Sequence, residues 1–206
     1  MKLSFRLLLL LTFLALVLPN LLPHLGYRQT QRLQEKEDHF RQQYDDLVSS
    51  RESRFSASIQ ALRITDPAFE RCLNNELDFY SKMGAESSGA IDDIDELKVL
   101  RCDGYGIKSL DGIDGLTNLT QLSLIRNDIK SLYPLRYHPA LQSINLDDNP
   151  NINSIEVLAS IKTLKSVSFP RLNKTHCDAA KDVDSAIKSR HGSRARSNIS
   201  SIRCSG

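Results

Sequence analysis

The side chains best able to do chemistry in this chain are five histidines (His24, His39, His138, His176, His191) and four cysteines (Cys72, Cys102, Cys177, Cys204). No two histidines stand at metal-ligand spacing, and no cysteine pair forms C-x-x-C. A zinc site and a thioredoxin-type redox pair are therefore not expected. His176 and Cys177 are neighbours in sequence, which does not make a nucleophile and its base; Cys177 reads better as a half-cystine. Asp147-Asp148-Asn149 offers too few oxygens for a Ca²⁺ loop. Asn118, Asn173 and Asn198 each open an N-x-S/T sequon, which matters only in a eukaryotic host. The reading assigns no catalytic residue, no metal and no cofactor, and expects a protein that binds rather than an enzyme.

The balance of charge does not point to nucleic acid either. Lys plus Arg number 27 against 25 Asp plus Glu, a formal net charge of +2. The N-terminus has a different bias. Lys2 and Arg6 precede an apolar run, Leu7 to Leu18, broken only by Thr12. A secretory signal shares the basic start and the apolar segment, but no A-x-A-like site follows. An uncleaved anchor over residues 1–27 is the preferred reading, with Lys2 and Arg6 held in the cytoplasm. Either alternative puts the rest of the chain outside the cytoplasm, periplasmic in a Gram-negative cell or secreted if the segment is cleaved. An even count of cysteines agrees with such export. Residues 28–63 follow as a charged stretch without Pro or Gly. Leu33, Phe40, Tyr44, Leu47, Phe55, Ile59 and Leu62 recur at helical spacing, with Glu37 and Arg51 as polar gaps. A solvated helical stalk is expected; a short coiled coil making a homodimer is the sharper alternative, and a helix folded back against the repeat domain is the third.

The elements that would position any binding residue come from an internal repeat. Stretches beginning at Leu97, Leu119, Leu141 and Leu164 share L-x-x-L-x-L-x-x-N-x-I-x-x-L, with an extra residue at Asn149-Pro150-Asn151. The alternating positions predict short strands with one buried face: Leu100 and Cys102, Leu122 and Leu124, Ile144 and Leu146, Val167 and Phe169. Ile107, Leu110, Ile113 and Leu116 begin the matching convex set, continued by Ile129, Leu132 and Leu135 and by Ile152, Ile155, Leu158 and Ile161. Asn127 and Asn149 should turn inward to pair backbone groups, because an unpaired buried amide is costly. Tyr105 and Leu172 hold that slot in the outer turns. The pattern resembles the leucine-rich repeat family, and its 22-residue length looks most like the bacterial internalin-type subclass. The resemblance implies an α/β repeat solenoid with a helical cap before the first strand.

Both ends of so short an array need a cover. Asp66-Pro67 is a helix start, and Phe69, Cys72, Leu73 and Leu77 form one face of the helix it opens. The four cysteines allow three connectivities. Cys72 on that apolar face and Cys102 on the first strand's inward face would staple cap to array. Cys177 and Cys204 would tie the tail, where Val183 and Ile187 suggest a short helix, and Ile199 and Ile202 a strand-like piece. The expected domains are an anchor or signal (1–27), a stalk (28–63), an N-terminal cap (64–96), the repeats (97–172) and a C-terminal cap (173–206).

Outward strand positions then form the candidate partner-binding face: Arg101 and Asp103; Gln121, Ser123 and Ile125; Ser143, Asn145 and Asp147; Ser166 and Ser168, with Val99 and Pro170 at its corners. No aromatic stands on it, and only Arg101 belongs to the residue types favoured at binding hot spots. Four strands at ~4.8 Å span about 20 Å, which falls short of the roughly 800 Å² per partner of a standard interface. Contact is expected to extend onto caps and onto a basic tail that includes Arg171, Lys174, Lys181, Lys188, Arg190, Arg194, Arg196 and Arg203. The expected function is protein–protein interaction at a cell envelope, the alternative a structural spacer or assembly factor dimerising through its stalk.

Overall fold

The computed structural model describes residues 27–82, 91–169, 174–192 and 195–197. The anchor or signal up to residue 26, Pro170, Leu172, Ile199, Ile202, Cys204, the sequon asparagines 173 and 198 and three of the tail arginines (171, 194, 203) lie outside these. Among the described residues no helix is long and apolar enough to cross a membrane. The chain divides into two compact units, Met1–Ser49 and Ser50–Gly206.

Helix α1 runs Tyr27–Ala61. Without Pro or Gly nothing interrupts it, and polar pairs one turn apart, such as Gln42 with Asp46 at 2.9 Å, line its surface. In the first unit Leu33, Phe40 and Tyr44 of its apolar stripe are exposed. The last three turns of α1 belong to the second unit and are not stalk. Phe55 and Ile59 are buried there, and so is Arg51, at 1% exposure. Arg51, a polar interruption of the apolar stripe in sequence, is thus buried with it. The cause is long-range: Arg51 Nε donates to Asp92 Oδ1 at 2.7 Å, so the guanidinium enters the core with its charge paired.

Helix α2, Pro67–Ser81, starts where Asp66 and Pro67 predict. Asp66 accepts from the Ala68 N–H at 2.7 Å, and its second oxygen accepts from Lys108 and Ser109 N–H at 2.6 and 2.9 Å. One carboxylate thus caps α2 and pairs two backbone groups of the first coil. Burial alone would raise its pKa; the N–H donors of Ser109, Lys108, Ala68 and Phe69 outweigh this and hold it below the usual carboxylate value. Between the helices, Leu62 drops onto the first coil. A Cβ on Gly112 would meet the Leu62 carbonyl oxygen at 2.6 Å, and one on Gly115 would meet Leu62 Cδ2 at 2.3 Å. Glycine at both places is what lets the linker lie flat.

The repeats form a parallel sheet in chain order: β1 Val99–Arg101, β2 Gln121–Ser123, β3 Ser143–Asn145, β4 Ser166–Ser168 and β5 Arg196–Ser197. Leu100, Leu122, Ile144 and Val167 stand in register, the alignment read from the repeat. Each coil returns through a 3₁₀ turn: Ile94–Glu96, Ile113–Gly115, Tyr133–Leu135 and Glu156–Ser160. Every strand and convex position assigned to the core is buried. This is a leucine-rich-repeat-like α/β solenoid.

Both ends are closed. The Cys72–Cys102 disulfide ties α2 to the coil of β1. A crosslink across a sequence separation of 30 is worth about 3.5 kcal/mol in the loop-entropy picture. Beside it, the Glu76 carboxylate accepts from the Arg101 backbone N–H at the free edge of β1, leaving less of that edge open to foreign strands. At the other end helix α3, Lys174–His191, buries Cys177, Ala180, Val183 and Ile187. It is longer than the short helix expected there. Strand β5 follows it; Arg196 N–H donates to Lys165 O at 2.7 Å, in a fourth ladder that the sequence did not show. Cys177 is disulfide-bonded.

Asn127 and Asn149 are buried as expected. Asn127 Nδ2 donates to the Cys102 and Leu124 carbonyls at 2.7 and 2.9 Å, and its Oδ1 accepts from Gly106 and Ile107 N–H at 2.9 and 3.0 Å. Asn149 donates to Leu124 and Leu146 at 2.7 and 3.1 Å, but its Oδ1 meets only Ile129 N–H, at 3.4 Å. Tyr105, in the same slot of the first coil, is half-buried and accepts from Asn75 Nδ2 at 3.1 Å. Replacing Asn127 by Ala strands two N–H groups and should cost about 3 kcal/mol. Asn149→Ala should cost less, because one acceptor bond is missing already. Urea melts of the two variants check the order; equal losses would mean that cavity volume, not backbone pairing, sets the cost.

Candidate functional site

The concave face is the sheet side on which the expected partner-binding residues alternate with the core. Arg101 and Gln121 are exposed; Asp103, Ser123, Ile125, Ser143, Asn145, Asp147, Ser166 and Ser168 are half-buried. The half-burial has a cause. Ser123 Oγ donates to Asp103 Oδ1 at 2.6 Å, and Ile125 N–H donates to the same oxygen at 2.9 Å. Two coils on, Ser168 Oγ donates to Asp147 Oδ1 at 2.7 Å. Asn145 Oδ1 accepts from the Asp147 N–H at 3.0 Å. Six of the ten candidate residues thus bind one another across neighbouring coils or along one loop. They give the face a fixed polar texture and keep few donors for a partner.

Reach into solvent comes from the ends of the face. Arg101 stands on β1 beside Glu76 and Tyr80 of α2. Burial raises the Glu76 pKa, with Arg101 pulling against it; burial and the Glu76 charge raise that of Tyr80. Phe79, exposed, packs edge-on against Tyr80 with ring centroids 5.6 Å apart. These two aromatics had no role in the sequence reading. Arg196 on β5 is the exposed basic residue at the opposite edge. The rest of the basic tail is partly engaged. Arg190 donates to the Ile161 and Ala159 carbonyls at 2.8 and 3.0 Å and so caps the last 3₁₀ turn. Lys181 pairs with Asp178 and Lys188 with Asp184. Among the described residues no group of three or more His, Cys, Asp or Glu is gathered.

A second set of exposed side chains lies on the convex return of the second coil, at Tyr133, Arg136 and Tyr137. The Arg136 guanidinium sits 5.7 Å from the Tyr133 ring centroid and 4.5 Å from that of Tyr137, and donates to both hydroxyls. Beneath them His138 is buried in a column that holds Leu116 one coil earlier and Ile161 one coil later. Its Nδ1 accepts from Leu141 N–H at 3.2 Å, so Nε2 carries the proton and donates to Leu116 O at 3.1 Å.

No family model matches the chain. Among solved structures it is similar to an internalin C2 from Listeria monocytogenes, at 21% identity over 59% of this chain and 53% of that one, with a TM-score of 0.44. It is also similar to a second Listeria monocytogenes internalin, at 19% identity over 53% of this chain and 37% of that one, TM-score 0.34. The chain spans about half the length of the first of these and less of the second. Both likenesses are partial, and the fold assignment rests on the coils themselves.

Burial holds the His138 pKa down, against the pull of the Leu116 carbonyl and of Asp114. The unfolded chain therefore binds this proton more readily than the native one. The contribution to stability is intact above about pH 6.5, the unfolded value, and is lost as pH falls from there toward the lower native pKa. The melting temperature should decline on acidification from pH 7.5 to 5.5. In His138→Leu, which restores the apolar column, that slope should shrink. An unchanged slope would assign the acid sensitivity to another group.

Proposed function

We propose that this chain is a non-catalytic protein-interaction module that presents its concave sheet, together with the Arg101 edge, to a protein or peptide partner. The observation that carries the reading is the set of Asp–Ser pairs on the sheet. They pre-order a polar face whose side chains need not rearrange when a partner arrives, which keeps the entropic cost of binding low. Arg101 supplies the anchor, since Arg is among the residue types that dominate interface energetics. The module is proposed to act outside the cytoplasmic membrane. Support comes from the basic start and apolar run of residues 1–27 and from the Cys72–Cys102 disulfide, a bond that persists in oxidising compartments.

A photo-crosslinking residue at Gln121 should capture a discrete partner polypeptide in cells, and Arg101→Glu should cut the yield at least tenfold. Yields no higher than from position 181 on α3, or yields indifferent to Arg101, would count against the concave face.

One observation favours a second reading. Leu33, Phe40 and Tyr44 fall on one seam of α1 and are 53%, 57% and 45% exposed. A second copy of this helix is the occupant that such a seam fits, and the chain would then act as a spacer or assembly factor. Sedimentation of the full chain should show dimers that Leu33→Glu with Phe40→Glu abolishes; a monomer at all concentrations removes this reading. Truncation at residue 64 is not a clean alternative, because it strips Arg51, Phe55 and Ile59 from the core.

A further inference from the structure

We infer that the convex return of the second coil is a separate interaction surface, built on Tyr133, Arg136 and Tyr137, and that it takes an acidic peptide segment of a partner protein. Tyr137 carries the argument. Its φ is +59°, a left-handed conformation that is a genuine outlier for a bulky residue. The equivalent residues of the first and third coils, Gly115 and Ser160, do not take a positive φ, so those coils close without the left-handed turn. Yet Tyr137 is 61% exposed and Tyr133 64%, and neither ring helps to fill the core. Strained backbone that carries an exposed aromatic is a cost the fold does not need, and such costs gather at functional positions.

The surroundings hold that aromatic in place. Tyr137 N–H donates to Ser160 Oγ at 3.2 Å, and Ser160 Oγ donates to Val157 O at 2.6 Å, which anchors the backbone to the next coil. The Arg136 guanidinium lies over both rings and bonds both hydroxyls, so the two tyrosines and the cation form one linked platform. Tyr and Arg are also the residue types that concentrate binding energy at interfaces. Next to the platform lies an open cleft of about 340 Å³, lined by Tyr137, His138, Pro139, Ser160, Lys162 and Thr163.

Charge selects the partner. The lining contains no carboxylate, His138 is buried with its ring bonded to the Leu116 carbonyl, and Lys162 is the exposed cation of the lining. Arg136 spends two N–H groups on the tyrosine hydroxyls, and a guanidinium has five. A partner that places carboxylates against Arg136 and Lys162, and an apolar side chain or proline between Tyr137 and Pro139, meets every group of the surface. This face lies opposite the concave sheet, so its use does not depend on the concave reading.

The test uses the ¹⁵N-labelled full chain and a blocked octapeptide, Glu-Glu-Leu-Pro-Glu-Glu-Leu-Pro. Amide shifts at 133, 135–138 and 160–163 should move and saturate below about 1 mM peptide, and should weaken severalfold between about 0.05 and about 0.5 M salt, which brackets the change in screening length. The same peptide with Lys in place of Glu should leave them still. Arg136→Ala should abolish the response. Tyr137→Gly should abolish it too while raising the melting temperature by about 2 °C through relief of strain. Shifts that fall elsewhere, fail to saturate or follow the lysine peptide equally would overturn the proposal. A lower melting temperature for Tyr137→Gly would do the same, because Tyr137 would then be a packing residue.

Discussion

Each coil of this solenoid must turn sharply as it leaves its strand, and the turn frees backbone N–H and C=O groups in a place that water does not reach. The whole array depends on pairing them. A primary amide is the smallest side chain that offers two donors and an acceptor in one plane, and Asn127 uses all of them on neighbours from two coils. It therefore binds successive coils together as well as closing its own loop. The apolar columns around it can then stack in register, because the backbone that carries them is fixed at the corner. Asn149 does the same less completely, beside the extra residue at Asn149-Pro150-Asn151 that lengthens its loop.

A stack of coils ends in two open faces, and the two are closed by different means. At the N-terminal end, Asp66 satisfies a helix and a coil at once, Leu62 lies on two glycines, Arg51 enters with its countercharge, and a covalent bond joins α2 to the coil of β1. At the C-terminal end, α3 covers the last coil with Cys177, Val183 and Ile187, and Arg190 reaches back to two carbonyls. The short sheet is thus held at both edges by elements that also extend the surface available to a partner.

Much of this was legible in the residues. The period of the leucines set the strands, their register and the convex columns, since stacking allows one phase only. Asp66-Pro67 marked α2, and the inward phase of Cys102 marked its disulfide partner. What escaped was set by contacts distant in sequence. Arg51 looked like a solvent residue because Asp92, its counterion, lies 41 residues away. Strand β5 has too few residues to show a pattern. The pairing of Asp103 with Ser123 and of Asp147 with Ser168 was not visible, because only the folded stack brings each acid onto the next coil's hydroxyl. The backbone conformation of Tyr137 and its Arg136 platform appear only in three dimensions. A departure from the small residues of its column, Gly115 and Ser160, was the one signal that could have pointed to it.

The placement of the Cys72–Cys102 bond has a mechanical consequence. A pull that enters the repeat unit through the end of α1 first meets Phe55 and Ile59, then the Asp66 cap. Beyond Cys72 the load crosses directly to Cys102 through sulfur. The residues in between, with a separation of 30, carry no tension and cannot be drawn out, which withholds about 100 Å of contour length from extension. Most of α2 and all of β1 lie inside that shielded loop. Under force β1 and most of α2 behave as a fixed grip, and any yielding must begin on either side of them.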